Sequence, residues 1–176
     1  WIELAGRNLE GQATPISLEK VNGTALPFKD GQFDIVFTAT VLQHNTDEAM
    51  LRKILSEICR VSSDRVILLE RIERTEKGDE LCMGRTVDKY ASICNDSGFS
   101  KVSVEFINTR VSYFVSGAIR KVFNRVGRRE GEAVSPLSSG LQKMTLPLTR
   151  PLDKIITSPT DVAKMVFQRQ TGNSTG

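Results

Sequence analysis

Residues 33–41, FDIVFTATV, constrain the fold of this 176-residue chain more than any other stretch. Nearly every residue is aromatic or β-branched, so the segment cannot alternate an inner with an outer face. It predicts a strand buried on both sides, as in a parallel sheet covered by helices. Its one charge, Asp34, stands at the entry. The chain reaches it through Leu26, Pro27 and Phe28, where the proline ring fixes its own φ and keeps the preceding residue extended, and then through the Asp30-Gly31 turn. Leu42, Gln43 and His44 follow, the last being the only histidine.

Other elements fall into place around this strand. Residues 1–8 read as the end of a helix, and residues 16–21 (ISLEKV) alternate apolar with polar and predict a strand. After His44, Asn45 and Glu48 have the spacing of a capping box, and Met50, Leu51, Ile54, Leu55, Ile58 and Val61 recur at helical intervals. Residues 66–70 (VILLE) predict a second buried strand, preceded by a turn at 62–65. Residues 86–95 predict an amphipathic helix stopped near Gly98, and residues 101–107 and 163–169 two further strands. Strands alternating with helices predict a doubly wound α/β sheet. Residues 108–160 do not alternate and predict a basic, partly helical cap inserted into a domain made of 1–107 and 161–170. The tail 171–176 is expected to be disordered.

Charge is divided unevenly. Residues 1–100 hold 12 Lys+Arg against 16 Asp+Glu, a net −4, and residues 101–176 hold 12 against 5, a net +7. An acidic ligand or surface is therefore expected to meet the C-terminal part. There, residues 113–129 put Phe114, Val115, Ile119, Val122 and Phe123 on one helical side, with Arg120, Lys121, Arg125, Arg128 and Arg129 largely elsewhere. Such a helix reads as a lid, as a membrane-surface contact, or as a site for a phosphate-bearing or lipid-linked acceptor. Aromatic residues make up 6% and do not interleave with these charges, which speaks against nucleic acid. Cys59, Cys82 and Cys94 form no metal-binding spacing and are expected as reduced thiols, with no metal. No apolar run nears the ~18 residues of a membrane span, and the first residues lack the character of a leader, so a cytoplasmic location is expected.

In order, VNGTALPFKDGQFDIVFTATVLQH, ILSEICRV and VILLE resemble the C-terminal two-thirds of a class I S-adenosylmethionine-dependent methyltransferase of the small-molecule type, and AKMVFQR is similar to the closing strand of that fold. The resemblance implies a Rossmann-like methyltransferase sheet, mostly parallel with an antiparallel last strand, lacking the first strand-helix-strand unit. It implies S-adenosylmethionine as cofactor and a small or lipid-linked metabolite as methyl acceptor. By position it assigns Asn22 to the adenine amino group, Gly23 to the face of the adenine ring, and Thr40, Val41 and Leu42 to the methionine and ribose side. Gln43 and Glu70 stand where the acceptor would approach, with His44 as candidate general base.

The same places follow from the tendency of α/β sheets to bind ligands at the carboxyl ends of their strands. His44 equally suits a backbone hydrogen bond at a strand end, and Glu70 equally suits a solvent-facing terminus. The family's glycine-rich loop and ribose-binding acid have no counterpart in these 176 residues. A second reading is therefore a non-catalytic methyltransferase fold that binds through its basic cap. A nicotinamide-dependent oxidoreductase is opposed by the missing dinucleotide fingerprint and by the lack of a Tyr-x-x-x-Lys pair: Tyr90 is followed at that spacing by Cys94 and Tyr113 by Gly117. Unpaired strand edges favour a homodimer.

Overall fold

The computed structural model describes residues 2–9, 11, 13–123 and 135–170. Helix α1 (Ile2–Leu9) leads through a long loop to β1 (Phe33–Ala39), a single 3-10 turn (Leu42–His44), α2 (Glu48–Val61) and β2 (Ser62–Ile72). A small hairpin, β3 (Lys77–Gly78) and β4 (Met83–Gly84), precedes α3 (Val87–Asp96), β5 (Phe99–Ile107), α4 (Arg110–Phe123), α5 (Pro136–Ile155) and β6 (Asp161–Arg169). The main sheet runs β1-β2-β6-β5. β1 and β2 are parallel, and β6 lies antiparallel between β2 and β5. The α/β class and the antiparallel last strand expected from the sequence are both present. The carboxyl ends of β1, β2 and β5 consequently meet the start of β6 along one rim of the sheet.

The core lies on the face covered by α2 and α3. Leu51, Leu55 and Ile58 of α2 and Tyr90 and Ile93 of α3 pack with Val66, Leu68, Met165 and Phe167 of the sheet. Each such side chain contributes about 1.5–3 kcal/mol through burial. Thr86 caps α3 by accepting from the Lys89 amide. The cap of α2 is Asp47, whose carboxylate accepts from the Met50 amide at 2.6 Å. The expected Asn45–Glu48 box does not form, because the Asn45 side chain turns back to the Val41 carbonyl.

Three further expectations are corrected. Residues 16–21 form no strand and are exposed, since no described strand runs beside them to share a ladder of hydrogen bonds. β1 is not buried on both faces. It pairs only with β2, no described element covers its outer face, and Ile35 and Phe37 are 53% and 68% exposed. Residues 62–65, expected as a turn, belong to β2: α2 ends at Val61 and the chain passes straight into the strand, with the buried Ser62 hydroxyl donating to the Arg65 carbonyl at 2.8 Å.

Residues 108–160 hold a helix pair, α4 against α5. The part of the predicted basic helix beyond Phe123, with Arg125, Arg128 and Arg129, and the tail 171–176 lie outside the described residues. Among the described residues no helix is long and apolar enough to cross a membrane.

Candidate functional site

β1 ends at Ala39, and Thr40 reverses the chain in the left-handed region (φ 54°) while its amide still reaches the Leu69 carbonyl at 2.8 Å. A non-glycine residue held there costs on the order of 1 kcal/mol or more, so its surroundings must hold the turn in place. Glu70, at the end of β2 and fully buried, does most of this. One of its carboxylate oxygens accepts from the Thr38 hydroxyl at 2.8 Å and the Val41 amide at 3.2 Å. The other accepts from the amides of Leu42 at 3.1 Å and Gln43 at 3.2 Å. The free amides at the start of the 3-10 turn thus meet a negative charge.

At the other end, buried Arg85 donates to the carbonyls of Leu42 and Asn45. One short turn is gripped by a carboxylate from β2 and a guanidinium from the segment after β4. Burial, and then the nearby Glu70 carboxylate, push the Tyr90 hydroxyl beneath this pair up to about 12.

Gln43 and His44 project from the gripped turn. His44 Nδ1 lies 2.9 Å from the Leu81 carbonyl, so that nitrogen carries the proton and donates, leaving Nε2 to accept from the Gln43 amide at 3.3 Å. The Gln43 carbonyl accepts from the Arg71 amide at 3.2 Å, which fixes the side chain from both ends. The β3–β4 hairpin supplies Leu81. Its tip is closed by the Asp79 carboxylate, held below its usual range by the amides of Leu81 and Cys82. Gly84 is required beneath it, because a Cβ there would run into the Glu73 side chain that pairs with Arg71 at 2.7 Å.

A cavity of about 580 Å³ opens beside Gln43, lined also by Arg71, Cys82, Arg110, Tyr113 and Asp161. That volume lies within the roughly 300–1,000 Å³ of small-molecule sites. Arg71 is paired with Glu73, whereas the Arg110 side chain makes no hydrogen bond or ion pair among the described residues. Asp161 opens β6 with a positive φ of 84°.

Asn22 and Gly23 lie elsewhere. The Asn22 side-chain oxygen accepts from the Thr24 amide at 3.1 Å, the Thr24 hydroxyl at 3.3 Å and the Ala25 amide at 3.3 Å, which folds the loop on itself. Gly23 follows with φ 77° against Ile54. The loop is pinned to α2 by Glu57, which accepts from the Leu26 amide at 2.7 Å, and by Arg60, which donates to the carbonyls of Leu26 and Phe28 and to Asp30. The Arg60 guanidinium, and then the Leu26 amide, lower Glu57 to about 2. Asn22 lines a second cavity of about 460 Å³ with Lys20, Val21, Ala25 and Pro27.

The residues singled out in the sequence are therefore only partly brought together. Gln43 lines the larger cavity, Asn22 lines the smaller, and the two share no lining residue. Thr40 and Val41 are exposed at the turn, and His44 stands beside Gln43. Two assignments need correction. Leu42 is fully buried in the core, so only its backbone serves the turn. Glu70 has no exposed surface for an acceptor because both oxygens are taken, and it positions the turn instead. Nothing in the sequence around Arg85, Arg71 or Asp161 marks them for the site: Arg85 reaches distant buried carbonyls, Arg71 lies within β2 and Asp161 opens β6. Arg110 falls within the electropositive stretch 101–176, which by itself singles out no residue. No group of three His, Cys, Asp or Glu side chains suited to a metal occurs among the described residues.

Residues 1–69 match the methyltransferase domain family. Solved structures agree over nearly the whole length. The [4+2]-cyclase SpnF superposes with a TM-score of 0.59 at 15% identity, over 97% of this chain and 63% of its own. A protein from Galdieria sulphuraria assigned as a sarcosine dimethylglycine methyltransferase gives 0.58 at 16%, over 93% and 63%. An S-adenosylmethionine-dependent methyltransferase from Methanosarcina mazei gives 0.57 at 12%, over 97% and 78%.

At these identities the likeness concerns the fold, and the chain spans less than two-thirds of the length of the first two. No curated protein sequence matches significantly. The family matched over residues 1–69 and the fold shared with these structures agree with the resemblance read from the sequence.

Proposed function

We propose that this chain carries the adenine and acceptor sides of an S-adenosylmethionine-dependent methyl-transfer site, working in the cytoplasm on a small or lipid-linked metabolite that bears an anionic group. The observation that supports this reading best is the cavity beside Gln43. It opens at the carboxyl-end rim of a methyltransferase-type sheet, next to a turn gripped by two buried charges, and Arg110 has no described partner there.

The residues present fit one flank of the cofactor. Gly23 turns the loop with a positive φ, and Thr40 and Val41 are exposed where the sheet ends. When bound, S-adenosylmethionine supplies a methyl group already activated on sulfur, so the protein's main task is to hold the acceptor in line. Gln43, fixed by the Arg71 amide and His44, orients the acceptor; Arg110 neutralises its anionic group. His44, its Nδ1–H held by the Leu81 carbonyl, takes the proton released by a hydroxyl or amine acceptor on Nε2 once the Gln43 amide turns from it to the acceptor.

One observation favours the second reading, a binding module without cofactor: the Asn22 oxygen that would meet an adenine amino group is already engaged three times inside its own loop. Methyl-labelled S-adenosylmethionine incubated with the chain and a metabolite and lipid extract separates the two. Methyl transfer puts label into the anionic fraction, and Arg110→Ala lowers that label roughly tenfold, the scale of losing one charge-assisted contact. An unlabelled extract with the unsubstituted chain counts for the binding module.

A further inference from the structure

Helix α5 is built inside out. Its buried residues are Ser138, Thr149 and Asp153, all polar, and Thr149 and Asp153 meet Ser112 of a companion helix, α4, that has no buried residue of its own. Most of its large apolar residues face outward, with Leu141 and Leu146 half-buried. Leu137, Met144, Leu148, Leu152 and Ile155 recur at intervals of seven, four, four and three, so they share one side of the helix. Met144, Leu148 and Ile155 are 74%, 73% and 76% exposed.

The inner seam is held by polar contacts. Asp153 accepts from the Val111 amide at 2.7 Å and from the Ser112 hydroxyl, which also reaches Thr149. A cavity of about 340 Å³ lined by Ser116, Ser139, Gln142, Lys143 and Leu146 lies between the two helices. A helix facing water turns the other way, with its apolar stripe against the protein. α4 adds three exposed aromatics, Tyr113, Phe114 and Phe123.

Charge points to what covers this face. Across the described residues of α4 and α5 the basic side chains are Arg110, Arg120, Lys121, Lys143, Arg150 and Lys154, all exposed. The one acid, Asp153, is buried in the seam. Viewed from outside, the described residues of the helix pair therefore show apolar side chains flanked by positive charge. An apolar stripe bordered by Lys and Arg is the pattern of a helix lying in a membrane interface, with the stripe among acyl chains and the cations at anionic headgroups. A nucleic acid would satisfy the cations and leave the leucines and methionine in water, and a second copy of this face would bring like charges together.

We infer that the α4–α5 face docks on an anionic membrane surface. Docking does not depend on the chain carrying methyl transfer.

Co-sedimentation of the chain with phosphatidylcholine vesicles, with and without phosphatidylglycerol, is the test. Binding is expected to the phosphatidylglycerol vesicles, to weaken with salt, and to be far weaker to phosphatidylcholine alone. The double variant Leu148→Glu, Ile155→Glu should reduce it roughly tenfold or more, and replacing Arg150 with Gln about fivefold. Val102→Glu, an exposed residue on β5, should leave it unchanged. The helix-face variants alter only exposed side chains, so a native circular dichroism spectrum is expected alongside.

Absence of binding to phosphatidylglycerol vesicles overturns the inference, as does binding that survives the double variant. A dimer that the double variant turns into a monomer, without vesicle binding, assigns the face to a second copy. Retention on a DNA fragment in place of vesicles assigns it to nucleic acid. Both of those outcomes also overturn it.

Discussion

The rim turn and the α4–α5 pair handle buried polarity in opposite ways. At the rim, Glu70 and Arg85 are buried beneath a conventional apolar core, and each is matched to backbone groups of the same short turn. In the helix pair there is little apolar core. Hydroxyls and one carboxylate meet in the seam, while leucine, methionine and isoleucine face outward. Buried charge at the rim gives geometry: it fixes where Gln43 and His44 project. Buried polarity in the pair leaves an apolar stripe free for a non-aqueous neighbour. A residue's type therefore does not reveal its role until its surroundings are known.

Substitutions should separate the two regions by size of effect. Glu70→Ala would leave three amides and the Thr38 hydroxyl without their acceptor and bring Arg85 against an unbalanced site, so a loss of about 3–5 kcal/mol is expected in urea unfolding. A loss under about 1 kcal/mol would show that the turn does not need its grip. Leu55→Ala in α2 should cost about 2–5 kcal/mol, the usual range for a cavity in a packed core. Gly23→Ala should cost about 1 kcal/mol, because its φ of 77° is poorly tolerated by a residue with a Cβ. Leu148→Ala, although it removes as much side chain as Leu55→Ala, should change stability by less than about 0.5 kcal/mol in the same assay. A large effect there would mean that α5 has an apolar partner within the chain.

The pH response sharpens the contrast further. The Ser112 hydroxyl, followed by the amides of Val111 and Ser112, lowers the Asp153 carboxyl below its ordinary value, and Glu57 is lowered to about 2. Groups lowered in the folded state stabilise it fully above their unfolded pKa, near ~4, and the contribution disappears as pH falls through the folded value. Protection of the α4 amides and of the Leu26 amide against hydrogen exchange should therefore hold from pH 7 to about pH 5 and fall between about pH 4 and pH 2. Amides at the centre of β2 should be the last to open, since no such group supports that strand's ladder. Loss of α4 protection already at neutral pH would contradict the Asp153 cap.

Much of this architecture was legible from the chain alone, for identifiable reasons. The α2 and α3 helices and strands β2, β5 and β6 follow from period and composition, because each packs against the core that its pattern implies. β1 was recognised as a strand and its environment was misjudged. FDIVFTATV has the composition of a central strand, yet only one described neighbour and one covered face are present. Residues 16–21 alternate as a strand should, but alternation cannot create the partner a ladder requires.

At the site, Gln43 was chosen for its position after a strand and does line the cavity. Glu70 was read as an acceptor contact because a strand-end glutamate normally faces solvent, and the amides of residues 41–43 draw it inward. Arg85 was invisible because its partners are carbonyls 40 and 43 positions away. The inverted α5 was hidden by its prolines, Pro147 and Pro151, which interrupt the look of a helix without breaking this one.

The central claim is that the Gly23 turn and the Thr40–Gln43 turn together form one flank of an S-adenosylmethionine site. It is tested most directly by titrating S-adenosylhomocysteine into the isotopically labelled 176-residue chain and following backbone amide resonances. The account predicts saturable shifts concentrated at Gly23, Val41 and Gln43, with those of α3 and α5 unmoved, and their loss in Gly23→Ala. Absence of shifts up to millimolar ligand, or shifts confined to the α4–α5 pair, would contradict it.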